Sequence, residues 1–157
     1  NLNINYNIKM GFTNVYADII IIFLITALWD IILRLMSEGH IKFFGAEKMK
    51  WVLVLDDYFK EHTVLSAALI AGFVGAITYP IILASMNFLN IKGLNLSTIL
   101  TTIIVSAAVG IPMRYLEIFP HLKKHYYEPL GFAYSSATDA FSGLVVGATF
   151  QTLKFLI

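Results

Sequence analysis

A chain of 157 residues has the length of one ordinary domain. Hydrophobic residues make up 58% of it and charged residues 13%, against roughly 45–50% and about 25% in soluble domains, so too few polar groups remain to coat a water-facing surface. The net charge of +1 supplies no field for nucleic acid, and the absence of cysteine excludes disulfides, thiol catalysis, Cys-ligated zinc and iron–sulfur clusters.

These proportions predict an all-α integral membrane protein, a single transmembrane domain over 1–157 built from four transmembrane helices. A span needs about 20 apolar residues. The Asn/Ile-rich stretch 1–9 precedes Met10, which reads as the natural start. The first predicted span, 16–36, is apolar all round apart from Asp18, Asp30 and Arg34, and no small-residue cleavage site follows it, so it reads as a retained helix. The loop after it contains AEKMKWVLVLDDYFKEH, whose interleaved Met49, Trp51, Leu55 and Phe59 predict a short amphipathic helix at the interface. The second span covers 64–88 and the third 97–118, with the sequon Asn95-Leu96-Ser97 pressed against the start of the third. The fourth covers 136–157.

Eight Lys and Arg fall in or beside the two odd loops (Arg34, Lys42, Lys48, Lys50, Lys60, Arg114, Lys123, Lys124), and three on the opposite side (Lys9, Lys92, Lys154). The positive-inside rule therefore places those loops in the cytosol and both termini across the membrane. The chain also repeats itself. Arg34 laid on Arg114 brings Ala27 onto Ala107, and Ala71-Gly72-Phe73-Val74-Gly75-Ala76 lies over Gly143-Leu144-Val145-Val146-Gly147-Ala148. This is the pattern of a duplicated two-helix hairpin, although small residues recur in any membrane protein.

Spans two and four carry small-xxx-small spacing, with Gly72, Gly75, Gly143 and Gly147 as its centre. That spacing predicts spans two and four as the central touching pair. Pro80 and Pro112 inside spans each remove a backbone hydrogen bond. Four ionisable residues stand at membrane depth: Asp30 and Arg34 one turn apart, and Arg114 and Asp139 on spans three and four. Each set reads as an intramembrane charge pair, either lining an ion or proton pathway or acting as a static strut. Their closeness to one interface favours struts, with the arginines reaching for the headgroups.

His121 and His125 form an H-x-x-x-H pair, too few ligands for a di-iron histidine box, and a two-His zinc site with Glu117 or Glu128 is weaker than the reading of an interfacial segment. No phosphate loop, acyl-transfer set or potassium filter is present, which argues against an enzyme and for no cofactor. LWDIILRLMSEGHIKFF followed by LDDYFKEHTVLSAALIAGFVGAIT resembles small multi-span membrane proteins encoded by large DNA viruses that infect algae and other protists. The resemblance covers about a third of the chain and carries no functional residue. It implies residence in the internal membrane of a virion or in a host membrane. Two functions compete: a structural protein that contacts capsid or other membrane proteins, in a homo- or hetero-oligomer, and a small oligomeric channel or transporter lined by the Asp/Arg set.

Overall fold

The computed structural model describes residues 15–41, 59, 62–93, 95–115 and 129–156, which are helical with no strand among them. Helix α1 runs Val15–Ser37, α2 Val64–Phe88, α3 Leu96–Tyr115 and α4 Pro129–Leu156. The first three agree with the predicted spans to within a few residues. The fourth helix starts at Pro129 rather than 136, because proline at a helix's first position has φ already set and no N–H to leave unbonded. The loop segment expected to form an interfacial helix lies outside the described residues, apart from Phe59, which is buried.

Helix ends are set by local chemistry. At the end of α1, Gly39 takes φ 80°, Gly39 N–H donates to the Met36 carbonyl at 3.2 Å and His40 N–H to Leu35 at 2.8 Å. The end of α2 repeats this geometry with Asn90 at φ 52°, bonded to Asn87, and Ile91 bonded to Met86. Both are paired-bond caps that need a residue tolerant of the left-handed region, hence Gly and Asn. Thr63 accepts from Ser66 N–H to open α2, and Asn95 Oδ1 accepts from Thr98 N–H at 2.9 Å to open α3. The predicted sequon asparagine is therefore a helix cap. Its amide also donates to the Lys92 carbonyl.

Consecutive helices run antiparallel. The most extensive packing is α1 on α2 and α3 on α4, with smaller seams between α2 and α3 and between α1 and α4. The four thus form a closed ring made of two hairpins. Its core holds Ile22, Val146 and Phe150, with Ile21, Ile25, Trp29 and Tyr79 packed around them.

Outward faces are apolar. On α1, Tyr16, Ile20, Leu24, Leu28 and Ile32 recur every four residues, and on α2 so do Leu65, Leu69, Phe73, Ile77 and Ile81; all are exposed. A repeat of four on a helix of 3.6 residues per turn is a nearly straight ridge. Water would penalise two such ridges side by side, whereas lipid would not. Two described helices, α1 and α2, are long and apolar enough to cross a membrane. Only 17% and 22% of their most apolar windows are buried, unlike the core helix of a soluble protein. α3 contributes a shorter apolar stretch, Leu96–Ile111.

The glycines pack, but not against one another. A methyl group built on Gly72 would meet the Phe23 ring at 2.8 Å, and one on Gly75 would strike Thr26, both on α1. One on Gly143 would strike Ser106, and one on Gly147 would meet Thr102 at 3.2 Å, both on α3. The expected central contact of spans two and four through these residues is thereby corrected: each glycine closes its own hairpin. The physical reason is that a short loop holds successive helices side by side, so the small residues serve the nearest neighbour. The helices α2 and α4 do meet across the ring, through Tyr79 and Phe150, edge to face at 5.3 Å.

Candidate functional site

Among the described residues, two polar clusters and one mid-depth hydrogen bond join different helices of this apolar bundle. At one end Arg34, in the last turn of α1, donates from Nε to Glu38 Oε1 at 2.8 Å and from a terminal nitrogen to the His62 carbonyl at 2.9 Å. Its guanidinium lies over the Phe59 ring, 5.8 Å from the centroid. The planar fork explains the choice of arginine, since it can hold a carboxylate and a carbonyl at once while stacking on a ring. His40 Nε2 stands 3.6 Å from the other Glu38 oxygen.

Asp30 and Arg34 make no direct ion-pair contact, although the Arg34 charge still acts on the Asp30 carboxyl. Arg34 turns toward Glu38 and the start of α2, which keeps its charge at the helix end instead of carrying it a turn deeper. Asp30 is half-buried on α1, with no ion pair among the described residues. Of the second expected pair, Asp139 is half-buried on α4 and takes part in a hydrogen-bonding or electrostatic contact. The Arg114 side chain lies outside the described residues, and so do His121, His125, Glu117 and Glu128. Among the described residues no group of three His, Cys, Asp or Glu could hold a metal ion. Close to Asp139 on α4, Ser136 Oγ is buried without a hydrogen-bond partner among the described residues.

The opposite end carries a cluster that sequence reasoning missed. Lys154, in the last turn of α4, reaches Asp18 Oδ1 on α1 at 2.6 Å, while Tyr79 of α2 donates its hydroxyl to Asp18 Oδ2 at 3.0 Å. Beneath them lies Phe150, edge to face with Tyr79 and 5.6 Å from the Lys154 nitrogen. Three helices meet at one carboxylate. Nearer the middle, Trp29 Nε1 donates to Ser142 Oγ at 2.9 Å, again joining α1 to α4, with Phe141 against the indole at 5.9 Å. A signal for these contacts did exist: Asp18 and Lys154 are placed at the same boundary by any alternating four-helix topology. What was missing was that α1 and α4 are neighbours.

Two further buried hydroxyls turn back on nearby backbone, Thr78 on its own helix and Thr98 on the turn that precedes α3. Thr78 Oγ1 donates to the Val74 carbonyl at 2.7 Å and Thr98 Oγ1 to Gly93 at 2.6 Å. Outside the ring, a shallow open groove on α2 is lined by Pro80, Ile81, Ala84, Ser85, Phe88 and Leu89. As a whole the site is a set of fasteners between helices, with carboxylate, ammonium, phenol and indole used to hold backbone positions. No known protein family, curated protein or solved structure matches the chain.

Proposed function

We propose that this chain is a four-span integral membrane protein whose role is structural and non-catalytic, holding a place in a lipid bilayer and contacting other proteins through its loops. The observation that carries the reading is the filling of the ring. Ile22, Val146 and Phe150, with Trp29 and Tyr79, occupy the space a permeation path would need, and the charges at both ends are engaged with one another. An ionic path through hydrocarbon would need polar groups lining it, whereas apolar side chains fill the ring at the level of Ile22, Val146 and Phe150.

The two hairpins, each closed by glycine against hydroxyl-bearing or aromatic side chains, support a duplicated origin. In this reading the basic loops face the cytosol or, in the virion setting that the sequence resemblance implies, the capsid. Partners there are capsid or other membrane proteins, and the chain works as part of an oligomer.

Reconstituted in liposomes, the parent protein should pass no proton or ion current, and in its native setting it should sediment with an assembled particle or larger complex. A current abolished by replacing Asp30 with Asn in a chain that still folds would move the assignment to the channel.

A further inference from the structure

Two contacts fix how α2 lies along α1. Gly75 closes on Thr26, and a terminal nitrogen of Arg34 reaches the His62 carbonyl at 2.9 Å. Asp30 stands one turn from each of these on α1, on the stripe that also carries Phe23 and Thr26, both set against glycines of α2. Midway between His62 and Gly75 on the facing helix come Ala67 and Ala68, which are 1% and 6% exposed. The half-buried carboxyl is thus carried on the seam of the first hairpin, at a level where α2 offers methyl groups.

No hydrogen bond or ion pair reaches Asp30 among the described residues. Between His62 and Tyr79 α2 has no ionisable side chain, and α3 has none from Leu96 to Met113. On α4, the tie between Trp29 and Ser142 sets Asp139 nearly one turn from the level of Asp30, and a second acid opposes a charge there. On α1 itself Asp18 is three turns away and held by Lys154 and Tyr79. Arg34 follows Asp30 by four residues, the spacing at which an acid and a base can meet. Its charge acts on Asp30 from there, but its Nε is committed to Glu38 and a terminal nitrogen to the His62 carbonyl. A carboxyl buried without a partner takes up a proton in preference to standing as a bare charge.

We propose that Asp30 is a proton-binding site in the α1/α2 seam, its carboxyl held as the uncharged acid while the hairpin is closed. The proton, not Arg34, neutralises the acid, and the guanidinium is left to bridge Glu38 and the approach to α2. Nothing in this arrangement requires the proton to cross the membrane. The proposal rests on placing the bundle in a bilayer, and flotation of the chain with vesicles reports that premise separately.

In liposomes at neutral pH, the infrared spectrum of the parent minus that of Asp30→Asn should contain the carbonyl stretch of a protonated carboxylic acid, shifted on exchange into deuterium oxide. Carboxylate bands in its place overturn the proposal. Asparagine matches the neutral acid in size and lack of charge, so Asp30→Asn should be recovered in membranes and unfold at no lower a temperature than the parent. Failure to recover it, or a marked fall in its unfolding temperature, shows that the fold uses a charged Asp30 and overturns the proposal as well. Arg34→Gln should cost the same stability in the parent and in the Asp30→Asn background, because the two residues are not a pair. A cost that largely disappears in the Asp30→Asn background makes Arg34 the neutralising group and removes the proton from the site.

Discussion

Arg34 shows how one side chain can matter more for what it bridges than for its charge. Its ion pair with Glu38 is partly exposed, and such pairs contribute at most about 1 kcal/mol. The bond to the His62 carbonyl and the stacking on Phe59 join the end of α1 to the approach to α2. Arg34→Lys keeps the charge but replaces the planar fork, which spans two acceptors while stacking on Phe59, with a single nitrogen, so it should lower stability in detergent by about 1–2 kcal/mol. Glu38→Gln should lower it less, because that partner is the exposed one; thermal unfolding followed by circular dichroism distinguishes the two. If Glu38→Gln proves the more damaging, the ion pair and not the bridge is what holds this end.

Trp29 offers a second test at the same scale. Interhelical hydrogen bonds in bilayers average about 0.6 kcal/mol and reach about 1.7. A double-mutant cycle of Trp29→Phe and Ser142→Ala should give a coupling in that range, and a coupling of zero would mean that the indole is held by Phe141 packing alone.

At the scale of the helices, the decisive contacts are those in which glycine lets a neighbour's side chain lie against its backbone. Thr26 and Thr102 donate their hydroxyls to carbonyls one turn back on their own helices, which satisfies the polar atom and leaves the side chain free to pack. Gly75→Ala and Gly143→Ala should each destabilise by about 1–3 kcal/mol through overpacking. Gly147→Ala, facing a contact at 3.2 Å, should be milder. Thr26→Ala should recover part of the loss in Gly75→Ala and none in Gly143→Ala, since the two lie in different hairpins; equal recovery in both would undo the hairpin assignment.

The helices themselves were legible because apolar length is a one-dimensional signal: α2 begins and ends where the sequence alone places it. The glycines were legible as packing positions for the same reason, yet their partners were not. Spacing along one helix marks a face that needs a close neighbour, and it does not say which neighbour. Asp30 and Arg34 were legible only in part. A separation of four marks residues that can meet, but Arg34 had a competing acceptor at the start of another helix, which no helical wheel displays. The Asp18–Tyr79–Lys154 cluster required the order of helices around the ring, a three-dimensional fact.

For the whole molecule, the membrane reading makes a prediction about sides. Residue His40, past the end of α1, and Leu89, past the end of α2, are both exposed and stand at opposite ends of the first hairpin. In sealed vesicles, a membrane-impermeant maleimide should reach His40→Cys from one side and Leu89→Cys only from the other, with the His40 side cytosolic by the positive-inside rule. Labelling of both from the same side would show that the first hairpin lies on the membrane instead of crossing it.

The tie between Asp18 and Lys154 also has a consequence in time. The two residues are separated by nearly the whole length of the chain, so a ribosome finishes the first hairpin long before it supplies the cation. At ~5–20 residues per second, the stretch between Tyr79 and Lys154 takes on the order of several seconds to synthesise, so the hydroxyl donor of the folded state is made well before the cation. Of the two partners described for this carboxylate, the phenol is made with the first hairpin and the ammonium comes only with α4.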